Sequence, residues 1–306
     1  MTEETGLAEP LWRRIVNFPL VALVVATLLF FAASTVAYIL LGLEPSLSRN
    51  ARAITEAVLN ISLLWVVYKL AIRHLGSDPR DELSGDGAIP NGLLGLGIGF
   101  ALMSAIVGIA AIAGSYRIVG WGSADDLWFN LASVALLPGF REELLFRGIW
   151  FRWLEQLGGS WVALAVTSAL FGVAHIFNPN ATWFSSFAIA VEAGVLLGGA
   201  YMLTRSLWMA IGLHAAWKFT QGYIGDVPVS GLDEQGLVRA RLSGPELLSG
   251  GAFGLEASLI ALAIATLAGV AMVVMAAKCG RIVAPMWAKS RRITARDPSK
   301  LNRKAS

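Results

Sequence analysis

FPLVALVVATLLFFAASTVAYILLGL, residues 18–43, is an uncharged apolar run of 26 residues. As a helix rising 1.5 Å per residue it exceeds the ~30 Å hydrocarbon core of a bilayer. Arg13 and Arg14 precede it, but it is too long for the 7–15-residue apolar core of a cleaved signal, so it reads as a first membrane span. Apolar blocks of similar length recur at about 53–72, 92–113, 127–156, 161–177, 183–203, 207–224 and 255–277. Strand signals are nearly absent. The expected fold is all-α: one polytopic membrane domain over residues 1–306, with about eight transmembrane helices.

Composition agrees. The chain is 56% hydrophobic and 15% charged, with a mean hydropathy of +0.64, whereas soluble domains are nearer a quarter charged. The single cysteine, Cys279, excludes an internal disulfide framework and a cysteine-cluster metal site. Nine Lys or Arg follow residue 277. Beside a membrane helix, a basic tail at 278–306 reads as a lipid-surface segment and not as a nucleic-acid site. Lys and Arg in the connections are divided unequally: 17 fall on the side of the termini and 5 on the other. This predicts a multi-pass protein of the cell membrane with both termini cytoplasmic. The connections at 76–91 and 225–250 are turn-rich and read as surface loops without a chemical motif.

Ionisable groups inside spans cost on the order of 2.5–3.5 kcal/mol each at a helix centre, so they face cavities or one another. One cluster is Arg141-Glu142-Glu143-Leu144-Leu145-Phe146-Arg147. Glu143 and Arg147 are four apart with the acid first, the favourable order for an ion pair. Glu142 points about 100° away from Glu143 and is left for another task. A second cluster runs from Phe171 to His175, and a third from His214 to Lys218. With a turn at Gly158-Gly159, Glu142 and His175 each lie 16 residues from it, hence at one depth, ~24 Å from the turn. His214 joins them if the charged hairpin end (Arg147, Arg152, Glu155) projects about 10 Å into the cytoplasm. Glu192 and Lys218 each lie 13 residues from Arg205, which suggests a buried pair. His74, at a span end beside Arg73, reads as interfacial.

One glutamate and two histidines at one depth suit two chemistries. The glutamate can activate water while the histidines orient it or stabilise an oxyanion. The same three side chains can also bind zinc. HExxH is absent, and the residues do not choose between the two.

In order, the three motifs (Glu142 to Arg147, Phe171 to His175, His214 onward) resemble the CAAX-protease and bacteriocin-processing family of intramembrane proteases, over about residues 127–225. That resemblance implies eight membrane helices and peptide-bond hydrolysis in a membrane-anchored, possibly lipidated, peptide or protein. It implies that Glu142 activates water, that His175 and His214 complete the site, and that Glu143, Arg147 and Phe171 support it. It favours a metal-free, glutamate-type mechanism, with zinc as the alternative. Bacterial members are linked to bacteriocin maturation or self-immunity. One position departs: the third motif normally ends in Asn or Asp, and here it is Lys218. Lys218 either donates to an oxyanion or pairs with Glu142. The second choice would make the chain a catalytically silent member that binds a membrane peptide.

Overall fold

The computed structural model describes residues 10–288 except 71, 77 and 79. Most of the basic tail, residues 289–306, lies outside the described residues. After a short exposed helix, Leu11–Val16, come α1 (Pro19–Gly42), α2 (Arg49–Leu70) and α3 (Ala88–Ile112). A continuous helical stretch then runs from Leu127 to His175. Gly159, at φ +80°, breaks it into α4 (127–158) and α5 (160–175). Only glycine adopts that backbone without strain, so the turn falls at the expected pair. α6 (Trp183–Thr204), α7 (Leu207–Phe219) and α8 (Leu259–Lys278) complete the set.

Each apolar block therefore becomes a helix. Among the described residues six helices, with Leu127–His175 taken as one, are long and apolar enough to cross a membrane. α7, at 13 residues, is shorter than a span and extends through a wide-turn segment, Thr220–Ile224. Local chemistry fixes the starts: Thr182 and Ser185 form a reciprocal cap on α6, Ser206 caps α7 and Ser258 caps α8, satisfying otherwise orphaned amides. Among the described residues there is one short antiparallel pair, β1 (Tyr116–Trp121) with β2 (Val238–Leu242). The sequence reading missed it because the two strands are far apart in the chain.

Alternation gives two faces. The terminal face holds residues 10–18, 72–87, the Gly159 turn, Arg205 and residues 279–288. The loop face holds residues 43–48, the β pair, residues 176–182 and 225–258. Between them α7 is threaded against α3 at close range. A Cβ at Gly95 would sit 2.2 Å from the Met209 carbonyl oxygen, and one at Gly212 would sit 2.4 Å from that of Gly92. Only backbones without side chains approach so closely, and that contact carries His214 into the centre of the bundle.

Two expectations fail on the terminal face. Arg147, Arg152 and Glu155 do not project into water; all three are fully buried. The connection at 76–91 is not merely a surface loop, because it folds beneath the helices and brings Glu82 inside. Glu82 accepts from Arg152 and Tyr68, and from Tyr201 at 3.2 Å. Glu155 pairs with Arg205 at 2.6 Å and Arg80 at 3.5 Å, and accepts from the Ser160 hydroxyl. Ser160 and Val283 exchange two hydrogen bonds, of 3.0 and 2.8 Å. These charges were expected to need solvent; a returning loop supplies their partners instead. His74 is exposed, as expected.

Candidate active site

α4 carries the two glutamates between two stretches of wider, π-type turn, Asn130–Leu136 and Leu144–Phe151. Such turns shift which side chains face inward and often accompany functional sites. Glu143 is fully buried and bonded by Arg147 at 3.0 Å. The other end of the guanidinium donates to the carbonyls of Ala193 and Gly194 on α6, each at 3.3 Å. Glu143 has a second partner that the sequence did not disclose: His214 Nδ1, at 2.9 Å. An ionised carboxylate only accepts, so Nδ1 carries the proton and donates, and Nε2 faces the other way.

That Nε2 lies 3.9 Å from Glu142 Oε2. Glu142 Oε1 lies 3.7 Å from Lys218 Nζ. Neither distance is a direct hydrogen bond, and Oε2 has no hydrogen-bond partner in the protein. His175 Nδ1 donates to the Phe171 carbonyl at 2.7 Å, which again leaves Nε2 free. Phe171 is the common support. Its ring lies 4.8 Å from that of His175, 6.1 Å from that of His214, and 4.8 Å from the Arg147 guanidinium carbon. All seven residues singled out from the sequence therefore meet in one region.

The expected Glu192–Lys218 pair does not form. Lys218 is directed at Glu142, while one Glu192 oxygen is buried without a partner. Equal distance along two helices sets depth but not the direction around each helix axis, and here the directions differ. Glu192 instead lines a small chamber of about 30 Å³ behind the histidines, together with Lys218, His175, His214 and Glu256. That volume suffices for a water.

In front of Glu142 lies a cavity of about 680 Å³, within the range of small-ligand sites. Glu142, His175, Lys218 and Arg141 supply its polar wall, and Phe30, Phe146 and Trp150 part of its apolar wall. The remaining wall comes from residues 225–258, through Val229, Ser230, Leu232 and Glu234. This segment is pinned by Asn178 to the Ser230 carbonyl and Asn180 to the Gly231 carbonyl, each at 3.1 Å, and by the Ser230 amide donating to Glu256. Read from sequence as a plain loop, it is part of the site. Its only advance signals were Glu256 at the start of an apolar block and a run of glycines. Among the described residues, no three His, Cys, Asp or Glu side chains gather as a metal-ligand set.

Residues 124–220 match the family described as type II CAAX prenyl endopeptidase, Rce1-like. The matched segment is about a third of the chain, and over it the chain is similar to the CAAX-protease and bacteriocin-processing family. The likeness, with the long apolar helices, supports a multi-pass membrane protein of the CAAX intramembrane protease kind, a family that acts on membrane-associated proteins or peptides. No curated protein and no solved structure matches the chain. The family segment contains all three motifs, while residues 225–258, which wall the cavity, lie beyond it.

Glu234, at the cavity rim, gives a pH test. Burial pushes its carboxyl from 4.5 up to about 7, with Asp126 and Asp233 acting in the same direction and Arg49 and Lys218 against it. A carboxyl raised on folding binds its proton more tightly in the folded chain. Its contribution is therefore full below about 4.5 and lost as pH rises through about 7. Thermal stability is expected to fall across that window, and Glu234→Gln is expected to flatten the slope. An unchanged slope in melting curves taken from pH 4.5 to 8 would contradict this.

Proposed function

We propose that the protein is an intramembrane endopeptidase in which Glu142 is the general base. The observation that carries this reading is the division of labour between the two glutamates. Glu143 is committed to Arg147 and His214, while Glu142 lines the cavity and its buried Oε2 has no hydrogen-bond partner. A water between Glu142 Oε2 and His214 Nε2 can donate a hydrogen bond to each and aim its lone pair at a peptide carbonyl. Attack forms the C–O bond, the water proton passes to Glu142, and the carbonyl electron pair moves to oxygen. Collapse then breaks the C–N bond, and the departing amine takes the proton from Glu142. His175 and Lys218 border the same space and are assigned to stabilising the oxyanion. The apolar wall suits an apolar or lipidated segment of a membrane-anchored substrate. The chain is assigned to the cell membrane with both termini cytoplasmic.

The test is cleavage in liposomes of membrane-anchored peptides, prenylated CAAX peptides among them, with wild type beside Glu142→Gln. Metal analysis of the same preparations addresses the zinc alternative, for which Glu142, His175 and His214 would be the ligands. Stoichiometric zinc, lost together with activity in His175→Ala, would favour that alternative over the glutamate mechanism. Absence of cleavage by wild type across the panel would sink the peptidase reading.

One distance favours a second reading. Lys218 at 3.7 Å from Glu142 is close enough to hold the base as an ion pair, as in a silent member that only binds peptide. Lys218→Asn, which restores the family residue, separates the two. If Lys218 is an oxyanion donor, turnover falls by up to about 10²–10³-fold, to the extent that the amide fails to replace it. If Lys218 silences Glu142, turnover appears or rises.

A further inference from the structure

The cavity is built asymmetrically between the two faces of the molecule. Leu232 and Glu234 belong to the loop-face segment, and Asn178 and Phe129 lie at helix ends on that face; all four line the cavity. Leu232 is exposed, as are Phe31 and Ala174 on the flanking helices α1 and α5. Toward the terminal face the cavity is lined by Phe30, Phe146 and Trp150. Beneath the site, toward the terminal face, stand the buried Glu82–Arg152 pair with Tyr68 and Tyr201, and the buried Glu155 held by Arg205 and Ser160. Residues 281–285 close over this layer through the paired hydrogen bonds of Ser160 and Val283 and a bond from Arg205 to the Arg281 carbonyl. A water path from the terminal face would have to break charged pairs that are themselves out of water, a change that costs several kcal/mol when a partner is removed.

The faces also differ in basic charge. Two of the arginines counted on the terminal side, Arg147 and Arg152, are buried and should be discounted. The rest still include Arg13, Arg14, Arg73, Lys278 and Arg281, all exposed, and seven more in the tail. The loop face has Arg49, Arg52, Arg117, Arg239 and Arg241, of which Arg49 and Arg239 are paired with Asp126 and Asp226. Short connections rich in Lys and Arg stay in the cytoplasm.

We propose that substrate reaches Glu142 from the non-cytoplasmic side, between the loop at 225–258 and the gap flanked by α1 and α5. On the peptidase reading, on which this substrate assignment rests, the substrate is then a peptide segment anchored in or lying on the outer leaflet. A prenylated tail presented at the cytoplasmic surface is not its substrate.

The side of access can be measured without any catalysis. Cys279 is the single cysteine and is exposed at the terminal-face end of α8. In a Cys279→Ser background, single cysteines are placed at Gln235, exposed on the loop face, and at Ser133, in the cavity wall. Intact cells producing the full chain are treated with a membrane-impermeant sulfonated maleimide, then permeabilised, then denatured. Gln235→Cys and Ser133→Cys are expected to label fully in intact cells. Cys279, in the otherwise native chain, is expected to label only after permeabilisation. The reverse pattern overturns the proposal. So does Ser133→Cys reacting only after permeabilisation or only after denaturation, since the cavity would then open inward or to neither face. A second arm presents one cleavable peptide, tethered in the outer or the inner leaflet. Cleavage confined to the inner leaflet overturns the substrate assignment, and cleavage confined to the outer supports it. Outward labelling with no cleavage in either leaflet would leave the access side standing and count against the peptidase reading alone.

Discussion

Glu142→Gln is expected to lower turnover by about 10²–10⁴-fold, the span for loss of a positioned general base, with peptide affinity changed little. The two side chains have the same shape, and Oε2 of Glu142 bonds to nothing in the protein, so the fold loses no contact there. The charge near Lys218 does disappear, and the site loses its proton acceptor. Turnover should therefore fall while KM holds, the pattern of an interaction made mainly in the transition state. Binding of a fluorescent substrate peptide, measured beside single-turnover cleavage, checks both halves. Turnover within a few-fold of wild type would remove Glu142 from the mechanism.

Glu143→Gln is expected to act mainly on stability. It strands the fully buried Arg147, leaving that guanidinium with the carbonyls of Ala193 and Gly194. Removing one partner of a buried ion pair costs about 3–5 kcal/mol. The double variant Glu143→Gln with Arg147→Met should recover a good part of the loss, because the uncompensated charge is then gone. Activity should not return with stability: His214 Nδ1 would lose the carboxylate that orients its ring. Thermal midpoints of the two single variants and the double in one detergent decide the first point. Strictly additive effects would show that the pair is not coupled.

Sequence carried the large features because hydrophobic thickness is a one-dimensional property. Apolar runs became helices, Gly159 made the turn, and the equal spacing of Glu142 and His175 from that turn brought both to one cavity. Its failures arose where geometry has a second dimension. Residues 13 from Arg205 on either side share a depth, yet Lys218 turns to Glu142 and Glu192 to a separate small chamber, because spacing from a turn does not give direction around an axis. The contact of Glu143 with His214 depends on the close α3–α7 packing and on the wide turns of α4, neither of which leaves a periodic trace. Arg152 and Glu155 were assigned to water because no partner is near them in the chain. Their partners, Glu82, Arg80 and Arg205, come from remote connections, and the sequence gives no measure of how a connection folds back.

The cavity draws its wall from two stretches of chain with different obligations. His175 and His214 both pack on Phe171, His214 is bonded to Glu143, and Glu142 stands beside Glu143 on the same helix. Residues 225–258 bear on the same space through Val229, Ser230, Leu232 and Glu234, yet they lie outside the segment that matches the family. Leu232 and Glu234 touch none of Glu142, His175 and His214 through any described hydrogen bond. Residues that shape the cavity are therefore separate in the chain from Glu142, His175 and His214. Exchanging the tip of this segment is the natural first move for redirecting the protein to a new peptide.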